Sequence, residues 1–167
     1  IAILTCDLVL TACSKDDAVE TTTDEVEAQL EQMTLREKVG QMFYIRMESL
    51  DPSIEWTTYD DLADINILDV TENMKRVNEQ YPVGGIILYA WNIEDESQLA
   101  RIIPQIRALN GSPLVCIDEE GGRVSRIANN PNFDVKKYES MASIGATGDP
   151  RNAYECGNTI GTYLHRY

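Results

Sequence analysis

The residues best suited to chemistry lie together in Ile117-Asp118-Glu119-Glu120-Gly121-Gly122-Arg123-Val124-Ser125-Arg126. Three consecutive carboxylates precede a glycine pair, and two guanidiniums follow it. Glycines accept backbone conformations closed to other residues, so the pair permits a tight turn or a close approach of main chain to a ligand. Arginine offers a planar, permanently charged fork of donors to a carboxylate or to substrate oxygens. Alternation along an extended chain would put Asp118 and Glu120 on one side and Glu119 on the other. On pattern alone, a plain strand-to-loop turn with an Asp/Arg brace fits as well as a binding site. A phosphate cradle fits poorly: the glycine spacing is not G-x-G-x-x-G, and adjacent carboxylates repel phosphate.

The elements that must position this segment read as alternating strands and helices. Thr34-Leu35-Arg36-Glu37 has capping-box form, and Leu35, Val39, Met42 and Phe43 follow at helical spacing, predicting a helix from about Thr34 to Met47. Residues 48–69 lack a period and read as loop. A short helix is expected over Thr71–Gln80, ended by Tyr81-Pro82. Gly84–Tyr89 reads as a strand buried on both faces. Leu99, Ile102, Ile103, Ile106 and Leu109 mark an amphipathic helix within Asn92–Asn110, with Pro104 kinking it or marking a late start. Leu114–Ile117 is the next strand. Asp149-Pro150 opens a last helix, with Ala153, Cys156, Gly157, Ile160 and Leu164 on its inner face. Such an order implies an α/β fold with a parallel sheet, either doubly wound or a barrel, in which ligands bind at the carboxyl ends of strands.

The 167 residues carry 28 acidic and 14 basic side chains, a formal net charge of −14. At 43% hydrophobic the chain can bury a core. The charge is concentrated. Residues 14–34 hold seven acids against Lys15, and residues 48–69 hold seven acids and no base. The first window reads as a solvated tether and the second as a surface addition. With the remainder nearly neutral, the chain has no basic patch for a nucleic-acid backbone.

The chain opens with an apolar stretch ending in Leu10-Thr11-Ala12-Cys13, which resembles a bacterial lipobox. Three divisions are therefore expected: a signal peptide over 1–13 with Cys13 as the lipidation site, a flexible acidic tether over 14–33, and a folded region over 34–167. Export and anchoring to the cell membrane as a lipoprotein follow from that reading. Of the remaining cysteines, Cys116 and Cys156 read as small core residues, with a disulfide between them left open.

Asp118-Glu119-Glu120-Gly121-Gly122-Arg123-Val124, followed by Arg126, resembles the signature of glycoside hydrolase family 3, in particular its β-N-acetylhexosaminidase branch. Met33–Met42 resembles the family's opening helix, Val83–Leu88 its first strand, and Gly157–Arg166 the helix leading to its third strand. The resemblance covers about Met33 to Tyr167 and implies the N-terminal portion of a (β/α)8 TIM barrel, incomplete in this chain, since a whole barrel needs about 250 residues. It implies that Asp118 and Arg126 bind substrate, that Glu120 and Arg123 brace the turn, and that no metal or cofactor takes part. The expected parent removes terminal β-GlcNAc from peptidoglycan-type saccharides such as muropeptides by a retaining mechanism. The family's catalytic Asp and loop His match no segment here, so no residue of this chain is assigned as catalytic. His165, the single histidine, reads as a helix surface residue. Another family 3 glycosidase (β-glucosidase or β-xylosidase) and a non-catalytic sugar-binding lipoprotein are the alternative readings.

Overall fold

The computed structural model describes residues 20–55, 57, 58, 61 and 64–167. The expected signal peptide, Cys13 and the first part of the expected tether lie outside them. The described residues fall into two units, 20–34 and 35–167. In the first, residues 20–32 are not the flexible tether expected but helix α1 (Glu20–Gln32). Its acids alternate with helix formers, and Val26 and Leu30 lie one turn apart, a combination that propagates a helix despite net charge.

The second unit begins with α2 (Leu35–Gly40), followed by strand β1 (Tyr44–Arg46). The single helix expected over Thr34–Met47 is therefore wrong beyond Gly40. A Cβ on Gly40 would sit 1.9 Å from the carbonyl oxygen of Pro82, so the chain passes Pro82 only as glycine. The Gly40 carbonyl accepts from the amides of Phe43 and Gly84. These bonds turn the chain out of the helix, and Phe43-Tyr44-Ile45, aromatic and β-branched, continues as strand.

A 3-10 turn (Met47–Leu50) follows, and the segment to Val70 is mostly irregular. Helix α3 (Glu72–Gln80) starts at Thr71, whose hydroxyl caps the Met74 amide. Strand β2 (Gly85–Leu88) leads through a second 3-10 turn (Ala90–Asn92) into α4 (Glu96–Arg107), capped by Asp95. Strand β3 (Leu114–Ile117) is followed by a hairpin of β4 (Glu119–Gly121) and β5 (Val124–Ser125). Two helices close the unit, α5 (Met141–Ala146) and α6 (Pro150–Leu164). Asp149 caps α6 and Pro150 fills its first position, as the sequence predicts.

The strands form a parallel sheet in the order β1-β2-β3, with Ile45, Ile86 and Val115 in register. The chain is thus an α/β fold built on a parallel sheet. Ile86, Ile102 and Ile106 are wholly buried in one core with Met47, Met74, Leu88 and Leu99. Full burial of such a side chain contributes about 1.5–3 kcal/mol. The core reaches α6 through Tyr163, with Ile160 and Leu164 packed beside it. Ala153 and Gly157, expected on that inner face, are exposed. Cys116 and Cys156 are free thiols, and burial pushes both above the usual thiol range. Among the described residues no helix is long and apolar enough to cross a membrane.

The acidic segment 48–69 is not wholly a solvated surface. Glu48 is 2% exposed and Asp51 4% exposed. Asp51 accepts from the Ser53 amide and hydroxyl, from Thr71 Oγ1 at 2.6 Å and from Asn73 Nδ2 at 3.0 Å. Burial pushes its carboxyl up, but these donors together outweigh it and hold the group at about 2.

Candidate functional site

Because the strands run parallel, the residues just past their carboxyl ends share one end of the sheet. These are Glu48 after β1, Tyr89 after β2 and Asp118 after β3. At that end Arg126 Nη2 lies 3.0 Å from Asp118 Oδ2, and the Arg126 amide donates to the Asp118 carbonyl. The pair is half-open: 44% of the Asp118 side chain and 26% of the Arg126 side chain are exposed. Among the described residues Asp118 Oδ1 takes no hydrogen bond, and the buried Arg126 Nε makes none.

The turn between them follows from the glycines. Gly121 has φ +81° and Gly122 φ +71°, conformations L side chains rarely adopt. A Cβ on Gly122 would stand 2.8 Å from the Glu139 carbonyl oxygen. The chain therefore folds back as a hairpin, with Glu119 opposite Ser125 and Gly121 opposite Val124.

Glu119 is the residue that secures the hairpin. Its Oε2 accepts from the Ile127 amide at 2.9 Å, and its Oε1 from the Ala128 amide at 3.0 Å and from Tyr163 Oη at 2.7 Å. Asn129 adds a bond from Nδ2 to the Gly122 carbonyl at 2.9 Å. Glu120 and Arg123, the residues expected to brace the turn, are exposed, and their side chains make no hydrogen bond among the described residues. Glu120 instead lines a groove of about 570 Å³ walled by Met141, Ile144, Pro150 and Ile160, so it does not join Asp118. Burial and the hydrogen bond to the Glu119 carboxylate both push the Tyr163 hydroxyl well above the ordinary tyrosine range. His165 is exposed at the carboxyl end of α6.

Support from β2 is absent from the sequence reading. The Arg126 guanidinium carbon lies 5.6 Å from the centre of the Tyr89 ring. Tyr89 stacks on Trp91 at 4.7 Å with 5° between the ring planes. The available signal was positional: Tyr89 follows β2 as directly as Asp118 follows β3. Among the described residues no group of three His, Cys, Asp or Glu side chains is placed to hold a metal ion.

The arrangement is that of a parallel α/β protein with a half-open Asp–Arg pair on the loops beyond its strands. The glycosyl hydrolase family 3 N-terminal domain matches residues 34–166, and the chain belongs to that family. It is 33% identical over 107 residues to a β-hexosaminidase of Thiobacillus denitrificans, covering 62% of this chain and 28% of that protein. It is 39% identical over 104 residues to a β-hexosaminidase of Bordetella avium, covering 62% and 29%. A solved glycoside hydrolase family 3 β-N-acetylglucosaminidase from Paenibacillus sp. str. FPU-7 superposes with a TM-score of 0.59 at 25% identity, over 80% of this chain and 22% of that one. The matched region thus spans under a third of these relatives.

Proposed function

We propose that residues 34–167 are the N-terminal part of a (β/α)8 barrel domain of a β-N-acetylhexosaminidase, and that Asp118 and Arg126 bind the terminal GlcNAc of a peptidoglycan-type saccharide. The observation that carries this reading is the half-open Asp118–Arg126 pair at the carboxyl end of β3. An ion pair facing solvent fixes both partners while leaving Asp118 Oδ1 as an acceptor for sugar hydroxyls, which suits an uncharged polyol. The names of the relatives support the sugar, and the parallel sheet supports the barrel.

In this reading the nucleophile and the acid/base belong to a longer parent protein, which acts by two displacements with retention. The Asp118–Arg126 pair holds the sugar ring while that chemistry proceeds. Comparing aryl β-GlcNAc with aryl β-glucoside hydrolysis by the full-length parent tests the substrate. Preference for the glucoside would move the protein to another branch of the family, and turnover of neither would leave a binding protein. Lipid anchoring through Cys13 belongs to the same proposal, and loss of membrane association in Cys13→Ser tests it.

A further inference from the structure

Glu48 is a fully buried carboxylate without a cationic partner in any ion pair of the described residues, and it binds indole and amide donors instead. Its Oε1 accepts from Trp91 Nε1 at 2.6 Å and from Asn92 Nδ2 at 2.8 Å. Its Oε2 is buried and takes no hydrogen bond from a described residue. Asn92 also donates to the Ile67 carbonyl, and its Oδ1 accepts from the Tyr89 amide at 2.9 Å. One carboxylate oxygen therefore fixes the Trp91 ring directly and the Tyr89 main chain through Asn92. The two rings are stacked, so the orientation of Tyr89 is determined from both sides. Tyr89 then presents its face to Arg126, whose guanidinium pairs with Asp118.

This network carries a fixed geometry from the end of β1, across the end of β2, to the charged pair at the end of β3. We infer that Glu48 and Tyr89 are positioning residues for the Asp118–Arg126 pair, Glu48 acting through Trp91 and Asn92 and Tyr89 acting through its ring. The inference rests on the proposed function only in taking that pair to bind sugar.

The test uses the full chain, nuclear magnetic resonance of the Arg126 Nε–H and Trp91 indole N–H signals, and titration with N-acetylglucosamine. Tyr89→Leu removes the ring under the guanidinium. It is expected to move the Arg126 signal toward that of a free arginine and to weaken the sugar about fivefold, the loss of one cation–π contact. Glu48→Ala is expected to shift the Trp91 and Arg126 signals together. Tyr89→Phe and Glu48→Gln, which keep the ring and an acceptor oxygen, are expected to restore the Arg126 signal. An Arg126 signal unchanged in folded Tyr89→Leu overturns the inference, whatever the sugar does. If Glu48→Ala does not fold, Glu48→Asp, whose shorter side chain withdraws the acceptor from Trp91 Nε1 and Asn92 Nδ2, decides the matter: Trp91 and Arg126 signals unchanged in it overturn the part given to Glu48. If the wild-type chain ignores the sugar while Tyr89→Leu moves Arg126, the positioning stands and the proposed function fails. If the sugar binds and Arg126 does not respond to Tyr89→Leu, the reverse holds.

Discussion

The hydroxyl of Tyr163 in α6 reaches Glu119 Oε1 at 2.7 Å, joining the last helix to the hairpin that begins beside Asp118. A hydrogen bond to a charged acceptor is worth about 1.5–3 kcal/mol. Tyr163→Phe is accordingly expected to lower stability by about 2 kcal/mol in urea unfolding, with Glu119 still held by the Ile127 and Ala128 amides.

The same bond gives a dependence on alkaline pH. The folded pKa of Tyr163 is raised, so the folded chain holds the phenolic proton more tightly than the unfolded chain. The stabilisation is fully present below the unfolded value of about 10 and is lost as pH rises toward the folded one. Tyr167, which donates to Glu96 at 2.8 Å, is pushed up to about 12 by burial and that bond, and acts in the same sense. Stability should fall above about pH 10. The fall should be shallower in Tyr163→Phe, and unfolding midpoints at pH 9, 10 and 11 measure it. Equal slopes in the two proteins would deny the coupling.

At the acid end hydrogen bonds hold Asp61, Asp69 and Asp149 low, and with them the more deeply buried Asp51. Its folded pKa of about 2 lies below the unfolded value near 4, so its contribution is present above about pH 4 and disappears as pH falls toward 2. The difference corresponds to about 2 kcal/mol. Asp51→Asn is expected to lose that amount at neutral pH and to flatten the acid limb of the stability curve between about pH 4 and 2.

Two glycines should resist substitution for different reasons. Gly122→Ala is strained by its positive φ and meets the Glu139 carbonyl, while Gly40→Ala meets the Pro82 carbonyl at 1.9 Å. Each should cost about 3 kcal/mol, as overpacking or backbone strain does. Gly157→Ala, with open space around its Cβ position, should be neutral or better. Thermal midpoints of the three variants rank them.

If the proposed function holds, Asp118→Ala or Arg126→Ala in the full-length parent should reduce kcat/KM by between about tenfold and a hundredfold, as loss of charge-assisted bonds to substrate does. The thermal midpoint should change little, since the pair is half-open. Unchanged kinetics in either variant would remove that residue from the site.

The strands β2 and β3, the helices α3, α4 and α6, and the parallel sheet were legible because apolar runs, caps and helical spacing all agreed there. Strand β1 was not. Leu35, Val39, Met42 and Phe43 keep helical spacing across Gly40, and the bonds that turn the chain out of the helix there include one from Gly84, distant in sequence. Losing β1 also hid Glu48, whose place past a strand end could then not be read. The Asp118–Arg126 contact was legible because the carboxylates and the guanidiniums bracket a glycine turn, and the structure pairs these two across it. Glu119 was set aside because strict alternation turned it from the site. A bulge in the hairpin and the amides of residues 127 and 128 give it the bracing role expected of Glu120 and Arg123. Helix α5, with no buried residue, left no periodic trace to read.

The strand order β1-β2-β3 has a consequence for how this region is made. Each strand docks on the one synthesised just before it, so the sheet can grow vectorially as the chain emerges, with no gap held open for a later arrival. The hairpin after β3 obeys a different clock. Glu119 acquires its third donor only when Tyr163 has been added and folded back, so the bracing beside Asp118 is complete only once α6 is in place.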